Sequence, residues 1–372
     1  MAQRFRDILE ALVKGRDLSA EEAEFALESI VDGTASSEEA AALLFGMRAK
    51  GETVEELTAF VRVMRRAAIP LDVDSRGAVD LCGTGGDGSG TFNISTAAMF
   101  VVAGAGVPVL KHGNRSVSSR CGSADVLEKL GVVATLGRKE VERVFGETGM
   151  AFMFAPNFHP AMKYIQPARR ALKIRTSFNI LGPLLNPADV RRQVIGAYSL
   201  DVAEIMIRIL ENLETVRAYT VHADDGMDEV TNTTTTQYFQ LNRSASGRSG
   251  SANDLSDQDS EPVSFNPAEL GIPVVHPKEL AGGDADDNAA IIRSIMENRA
   301  TDAQRDIVLL NAAFGIHAGG RAGSLSEAVE IARESLASGS AAGKLREFSE
   351  ASREAWVSEK KPDPESGITA KL

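Results

Sequence analysis

Residues 79–98 read V-D-L-C-G-T-G-G-D-G-S-G-T-F-N-I-S-T-A-A: a short apolar run, a loop with five glycines among residues 83–90, and a helix start. Glycine tolerates positive φ and lets other groups approach the backbone closely. Free N–H groups at a helix start, here near Asn93, Ser95 and Thr96, attract an anion. The segment is expected to be a phosphate cradle at the end of a strand. A plain turn with a good N-cap is the competing reading, and this density of glycine argues against it. Neither a dinucleotide G-x-G-x-x-G nor a G-x-x-x-x-G-K-[ST] loop fits, because no Lys follows the glycines directly.

The apolar run that opens this segment is one of three, Val79 to Cys82, Val107 to Leu110 and Val216 to Val221, each followed by a turn. Helical periodicity marks 95–104, 124–131, 201–213, 286–298 and 305–314. The alternation predicts an α/β unit with a mostly parallel central sheet and crossover helices. Before it, Ser19 with Glu22, Ser36 with Glu39 and Thr53 with Glu56 form three capping-box patterns ahead of apolar helical spacing, so a small helical domain over 1–75 precedes an α/β domain over 76–350. Residues 243–262 are rich in Ser and Asp and almost free of apolar side chains, so they are expected to be a mobile insertion; the tail over 356–372 is expected to fray.

A second polar, basic loop follows the second run: K-H-G-N-R-S-V-S-S-R-C-G-S-A-D-V-L-E, with Lys111, Asn114, Arg115, Ser118, Ser119 and Ser123. Two loops at the carboxyl ends of neighbouring parallel strands share one crevice and can hold two separated phosphates. Taken singly, Arg115 or Arg120 is equally a solvated charge and Ser123 a helix cap. A third segment, H-A-D-D-G-M-D-E-V over 222–230, clusters carboxylates around a glycine, which suits either an acidic surface turn or a hard cation such as magnesium shared with substrate phosphate. Arg169 is a carboxylate clamp or a structural ion pair, and a lone His159 is more often structural than catalytic.

Composition removes other classes. A formal net charge of -12 argues against nucleic-acid binding, and two cysteines, Cys82 and Cys121, make neither a disulfide framework nor a zinc site. The N-terminus lacks a signal-peptide apolar region and no apolar run reaches the roughly 18 residues of a membrane span, so no membrane partner and a cytoplasmic location are expected.

The motifs G-T-G-G-D-G, K-H-G-N-R-S-V-S-S, N-x-x-G-P-L-x-N-P and D-G-M-D-E, in this order, resemble those of anthranilate phosphoribosyltransferases, over roughly residues 5–345. The resemblance implies a helical domain, including a returning segment near 165–190, hinged to the α/β domain, usually as a homodimer through the helical domains. It implies phosphoribosyl pyrophosphate on Gly83, Gly86, Asp87, Asn93, Ser95, Thr96, Lys111 and Ser123, with Thr91, Gly113, Arg115, Ser118 and Ser119 as further substrate-binding residues. Magnesium would sit on Ser95, Asp228 and Glu229. Anthranilate would contact Asn114 and Arg169, with Gly83, His112, His159, Gly182 and Pro183 lining its approach. No compulsory general base is implied; His112 or His159 could take up a proton late. A pyrimidine nucleoside phosphorylase, which needs orthophosphate and no metal, is the rival enzyme class, and a non-catalytic nucleic-acid-binding relative the rival of another kind.

Overall fold

The computed structural model describes residues 2–116, 120–243 and 261–359. Ser118 and Ser119, most of the 243–262 insertion and the chain beyond 359 lie outside the described residues.

Four helices open the chain, α1 (Ala2–Val13), α2 (Ala20–Val31), α3 (Ser37–Lys50) and α4 (Val54–Arg66). All three expected capping boxes form. At the first, the Ser19 hydroxyl accepts from Glu22 N at 3.2 Å while Ser19 N donates to Glu22 Oε2 at 3.0 Å. The other two boxes repeat the pattern at Ser36 with Glu39 and Thr53 with Glu56. Each such cap contributes about 1 kcal/mol and halts helix fraying at its N-terminus.

The α/β region runs β1 (Asp80–Gly83), α5 (Ile94–Gly104), β2 (Val109–Gly113), α6 (Ser123–Lys129), α7 (Arg138–Thr148), β3 (Met150–Phe154), α8 (Ala155–Phe158), α9 (Met162–Leu172), β4 (Arg192–Gly196), α10 (Leu200–Glu211), β5 (Arg217–Ala223), β6 (Thr236–Asn242), β7 (Val263–Phe265), α11 (Ala285–Met296), α12 (Asp302–Ala318), α13 (Leu325–Ala337) and α14 (Ser340–Glu359). Strands β1, β4 and β5 pair in parallel, and β6 and β7 add antiparallel at one edge. Strands β2 and β3 form a separate parallel pair, joined to β1 by the single bridge Val79–Val109. Helix α5 is buried on nearly every side and packs against α12 and α14, so it sits inside the larger core.

A second core unites the N-terminal helices with α9, α10, the buried Phe178, Leu181 and Leu184, and one face of β4 to β6. The segment near 165–190 thus returns to the helical bundle, with α9 against α3 and α2. Helix α10 touches both α4 and the sheet, which seats the bundle on the sheet face.

Three expectations need correction. The second strand runs to Gly113, not Leu110, so Lys111 and His112 belong to a buried strand and not to a loop. Pairing of β2 with β3 holds them there, and the sequence reading did not foresee β3. Ser123 is the first residue of α6, whose N-cap is Gly122, so it does not cap the helix. The C-terminal helix continues through Trp356 to Glu359, so fraying does not begin at Trp356.

Candidate active site

From Gly83 the chain turns through the glycine loop, with φ of 67° at Gly85, 74° at Gly86, 75° at Gly88 and 68° at Gly90, a left-handed path closed to most side chains. It delivers the backbone to the N-terminus of α5, where the Asn93 side chain makes no capping bond. The loop is anchored on three sides. Thr84 N donates to Gly196 O at 2.9 Å, Gly282 N donates to Gly90 O at 2.9 Å, and Arg175 Nη2 donates to Gly86 O at 2.8 Å while its guanidinium stacks on Tyr198 at 4.2 Å.

The third acidic segment divides in two. Asp224 and Asp225 are exposed and bonded to Gln237 and Thr233, whereas Asp228 and Glu229 turn toward the glycine loop. Asp228 Oδ2 accepts from Gly85 N at 2.7 Å, and Glu229 Oε1 accepts from Ser95 N at 3.2 Å. The approach is so close that a Cβ on Gly196 would lie 1.6 Å from the Asp228 carbonyl oxygen. Burial first, and Asp87 second, push the Asp228 carboxyl up to about 7; burial first, and Asp228 second, push Glu229 up to about 8, against the pull of Lys111.

Asp228, Glu229, whose carboxylate meets Ser95 N, and the Ser95 hydroxyl bring three oxygen donors to the end of the glycine loop. Among the described residues no group of three or more His, Cys, Asp or Glu makes a complete metal cage. The set instead fits magnesium, which binds a few oxygens and completes its shell with water and substrate phosphate.

Lys111 is fully buried beneath this cluster. Its ammonium donates to the Leu81 carbonyl and, at 3.3 Å, to Ser95 Oγ. Beside it lies Asp80, also fully buried, which accepts from Asn186 Nδ2 at 2.8 Å and His112 N at 3.2 Å. Burial raises the Asp80 carboxyl to about 6, opposed by Lys111. Asn186 also donates to Leu110 O at 2.8 Å, so one amide closes the seam where β1 and β2 part. Arg115, expected to face phosphate, pairs with Asp125 at 2.8 Å and Glu128 at 2.5 Å on α6, which matches its charge within the protein. Asn114 Oδ1 accepts from Arg115 N at 2.7 Å.

On the other side of β2, the His112 and His159 rings meet edge to face, 5.1 Å between centroids. Both are buried; His112 Nε2 and the His159 ring nitrogens make no close hydrogen bond among the described residues, and the Leu185 backbone faces His159. Burial, with mutual repulsion at His112, lowers them to about 3 and about 4, so both are neutral at pH 7. Gly182 and Pro183 form a short 3-10 turn whose Gly182 backbone faces His112. The half-buried Arg169 guanidinium lies 5.9 Å from the Phe178 ring centre, and burial lowers its pKa with no carboxylate among the described residues opposing it.

Asp80, Arg175 and Gly196 escaped the sequence reading. Asp80 left a signal, an acid inside an otherwise apolar strand. The other two did not, because their partners lie from about 30 to about 90 residues away. Asn186 belongs to the N-x-x-G-P-L-x-N-P motif, but its bond to Asp80 was not legible there.

The α/β region matches the family model described as "Glycosyl transferase family, a/b domain" over residues 75–342, and the N-terminal helices match "Glycosyl transferase family, helical bundle domain" over 6–68. An anthranilate phosphoribosyltransferase of Salinibacter ruber is 45% identical over 350 residues, covering 94% of this chain and 98% of that protein. This chain belongs to the anthranilate phosphoribosyltransferase family. The anthranilate phosphoribosyltransferase of Thermus thermophilus shares the fold with a TM-score of 0.84 at 37% identity, covering 93% of this chain and 99% of that one. A Saccharomyces cerevisiae anthranilate phosphoribosyltransferase, solved with PRPP and Mg, has the same fold at a TM-score of 0.82 and 23% identity, covering 94% and 98%.

Proposed function

We propose that this chain transfers the phosphoribosyl group of 5-phosphoribosyl 1-pyrophosphate to the amine of anthranilate, releasing pyrophosphate. The observation that supports this reading best is the glycine loop closed by two carboxyls, Asp228 on Gly85 N and Glu229 on Ser95 N, with Lys111 beneath at Ser95 Oγ; the buried His112 and His159 pair on the other face of β2 supports an acceptor slot there.

The donor lies along the glycine loop and the start of α5, with Gly83, Gly86, Asp87, Thr91, Asn93, Ser95 and Thr96 as its contacts and Gly113 and Ser123 beyond them, while Asn114 meets anthranilate. Backbone N–H groups there face developing negative charge without reorganising. Ser95, Asp228 and Glu229 would hold magnesium, which would supply positive charge against that growing on pyrophosphate. Lys111 adds a fixed positive charge from below through Ser95. Arg169 receives the anthranilate carboxylate as a bidentate clamp, and His112, His159, Gly182 and Pro183 shape a dry slot for its ring.

The reaction forms a bond from the amine nitrogen to ribose C1 as the bond from C1 to the pyrophosphate oxygen breaks. An aromatic amine is neutral at pH 7, so positioning and electrostatics suffice and no strong base is required. The proton leaves after attack, and a neutral imidazole of His112 or His159 could accept it late. Val13, Phe45 and Tyr164 of the helical bundle are exposed apolar side chains, which supports a homodimer through the helical domains. No helix among the described residues is long and apolar enough to cross a membrane, in keeping with a cytoplasmic enzyme.

The test is loss of anthranilate fluorescence on mixing the protein with phosphoribosyl pyrophosphate and magnesium. The expected result is turnover that EDTA abolishes and that the Asp228→Ala, Glu229→Ala double variant loses by at least about a hundredfold. Folded wild-type protein that leaves anthranilate unchanged would remove anthranilate as the acceptor.

A further inference from the structure

Outside the residues assigned above, one buried amide reaches into the donor site from α11. Asn288 is only 2% exposed. Its Oδ1 accepts from Gly283 N at 2.8 Å, and its Nδ2 donates to Asn93 Oδ1 at 3.0 Å. Asn93 Nδ2 in turn donates to Cys121 O at 3.2 Å. A backbone N–H at one end and a backbone carbonyl at the other set the polarity of the whole relay, so both amides can point only one way. The relay joins three pieces of chain: the approach to α11, the N-terminus of α5 at the end of the glycine loop, and the residue preceding the Gly122 cap of α6.

The same stretch is clamped to the loop by backbone bonds. Thr91 and Ala281 form an antiparallel bridge, Phe92 N donates to Leu280 O at 3.3 Å, and Gly282 N donates to Gly90 O at 2.9 Å. A Cβ on Gly282 would stand 2.6 Å from Phe92 N and 2.7 Å from Asn288 Oδ1, so this contact is available only to glycine. Because the Asn93 side chain is held in the relay, it does not cap α5. The α5 N-terminus is thereby left without a side-chain cap, facing the donor.

We propose that Asn288 is a positioning residue for phosphoribosyl pyrophosphate binding: through Asn93 it fixes the distance between the glycine loop and the start of α6. This rests on the proposed donor site but not on anthranilate being the acceptor. A misplaced loop weakens the donor, which spans both segments, and leaves the acceptor slot on the far side of β2 untouched.

The test measures calorimetric binding of phosphoribosyl pyrophosphate with magnesium to the full chain, alongside KM for each substrate. Asn288→Ala removes the relay. Asn288→Asp keeps an acceptor for Gly283 N but loses the donor to Asn93, so it separates the relay from simple cavity formation and reports even if the alanine variant folds poorly. Both are expected to weaken donor binding on the order of tenfold, with anthranilate KM within about twofold of wild type. The Asn93→Ala, Asn288→Ala pair is expected to be no worse than the poorer single variant, because both break one chain of bonds. Donor binding equal to wild type in Asn288→Asp, or an equal rise in both KM values, overturns the inference. A wild-type protein that binds the donor yet ignores anthranilate sinks the acceptor assignment alone, and the binding comparison still decides this one.

Discussion

Two buried charge clusters, one in each half of the molecule, are built in opposite ways. In the helical bundle the Lys50 ammonium, 4% exposed, meets Asp17 at 2.6 Å and Glu56 at 3.1 Å, with Glu56 wholly buried. The remaining Glu56 valence is filled by Leu18 N at 2.7 Å and Thr53 N at 2.8 Å. Burial alone would lower Lys50, but the bonds to Asp17 and Glu56 outweigh it and hold the ammonium above its ordinary value. In the α/β region Asp80 and Glu229 share Lys111, while Asp228 and Asp87 press on Glu229 with like charge. A satisfied cluster stabilises the fold; a cluster short of positive charge stores destabilisation that a cationic ligand relieves.

The sharpest way to break this contrast is to remove one partner from each side. Lys50→Met leaves Glu56 buried beside a hydrocarbon and is expected to lower stability by about 3–5 kcal/mol in denaturant titration. Adding Glu56→Leu should recover part of that loss. A Lys50→Met protein within about 0.5 kcal/mol of wild type would mean the bundle cluster is not the structural one.

The opposite sign is expected at the site. A carboxyl whose folded pKa exceeds its unfolded value binds protons more tightly when folded, so ionising it destabilises the fold. The penalty grows from about pH 4, the unfolded value, and levels off above the folded value of about 7 at Asp228. Asp228→Asn should therefore raise the stability of the ligand-free protein by about 1–3 kcal/mol at pH 8.5, discounted for partial exposure, with little change at pH 4. A loss of stability at pH 8.5 would show that the acid is already matched within the protein.

Much of this was legible in the sequence where the cause is local. The three capping boxes formed as read, and the glycine loop takes the left-handed turns its residues call for and lies against Asp228 and Glu229, because each is decided within a few residues. Pairings across the chain were not legible. Lys111 and His112 looked like loop residues until parallel pairing with β3 drew them into a buried strand. Arg115 looked like a phosphate ligand, but Asp125 and Glu128 one and two turns into the next helix claim it. Asn288 carries no motif by itself; its meaning comes from Asn93, 195 residues earlier.

The most direct test of the central claim, that Asp228 and Glu229 are kept short of a cation for the donor and its metal, is a proton count. Binding of phosphoribosyl pyrophosphate with magnesium at pH 7 is measured by calorimetry in two buffers of different ionisation enthalpy, for wild type and for Asp228→Asn. Both acids must ionise to take up a cation, so wild type should release on the order of one proton more than the variant, and its affinity should rise with pH between about 6 and 8. Equal proton release in the two proteins, with an affinity flat across that range, would contradict the account.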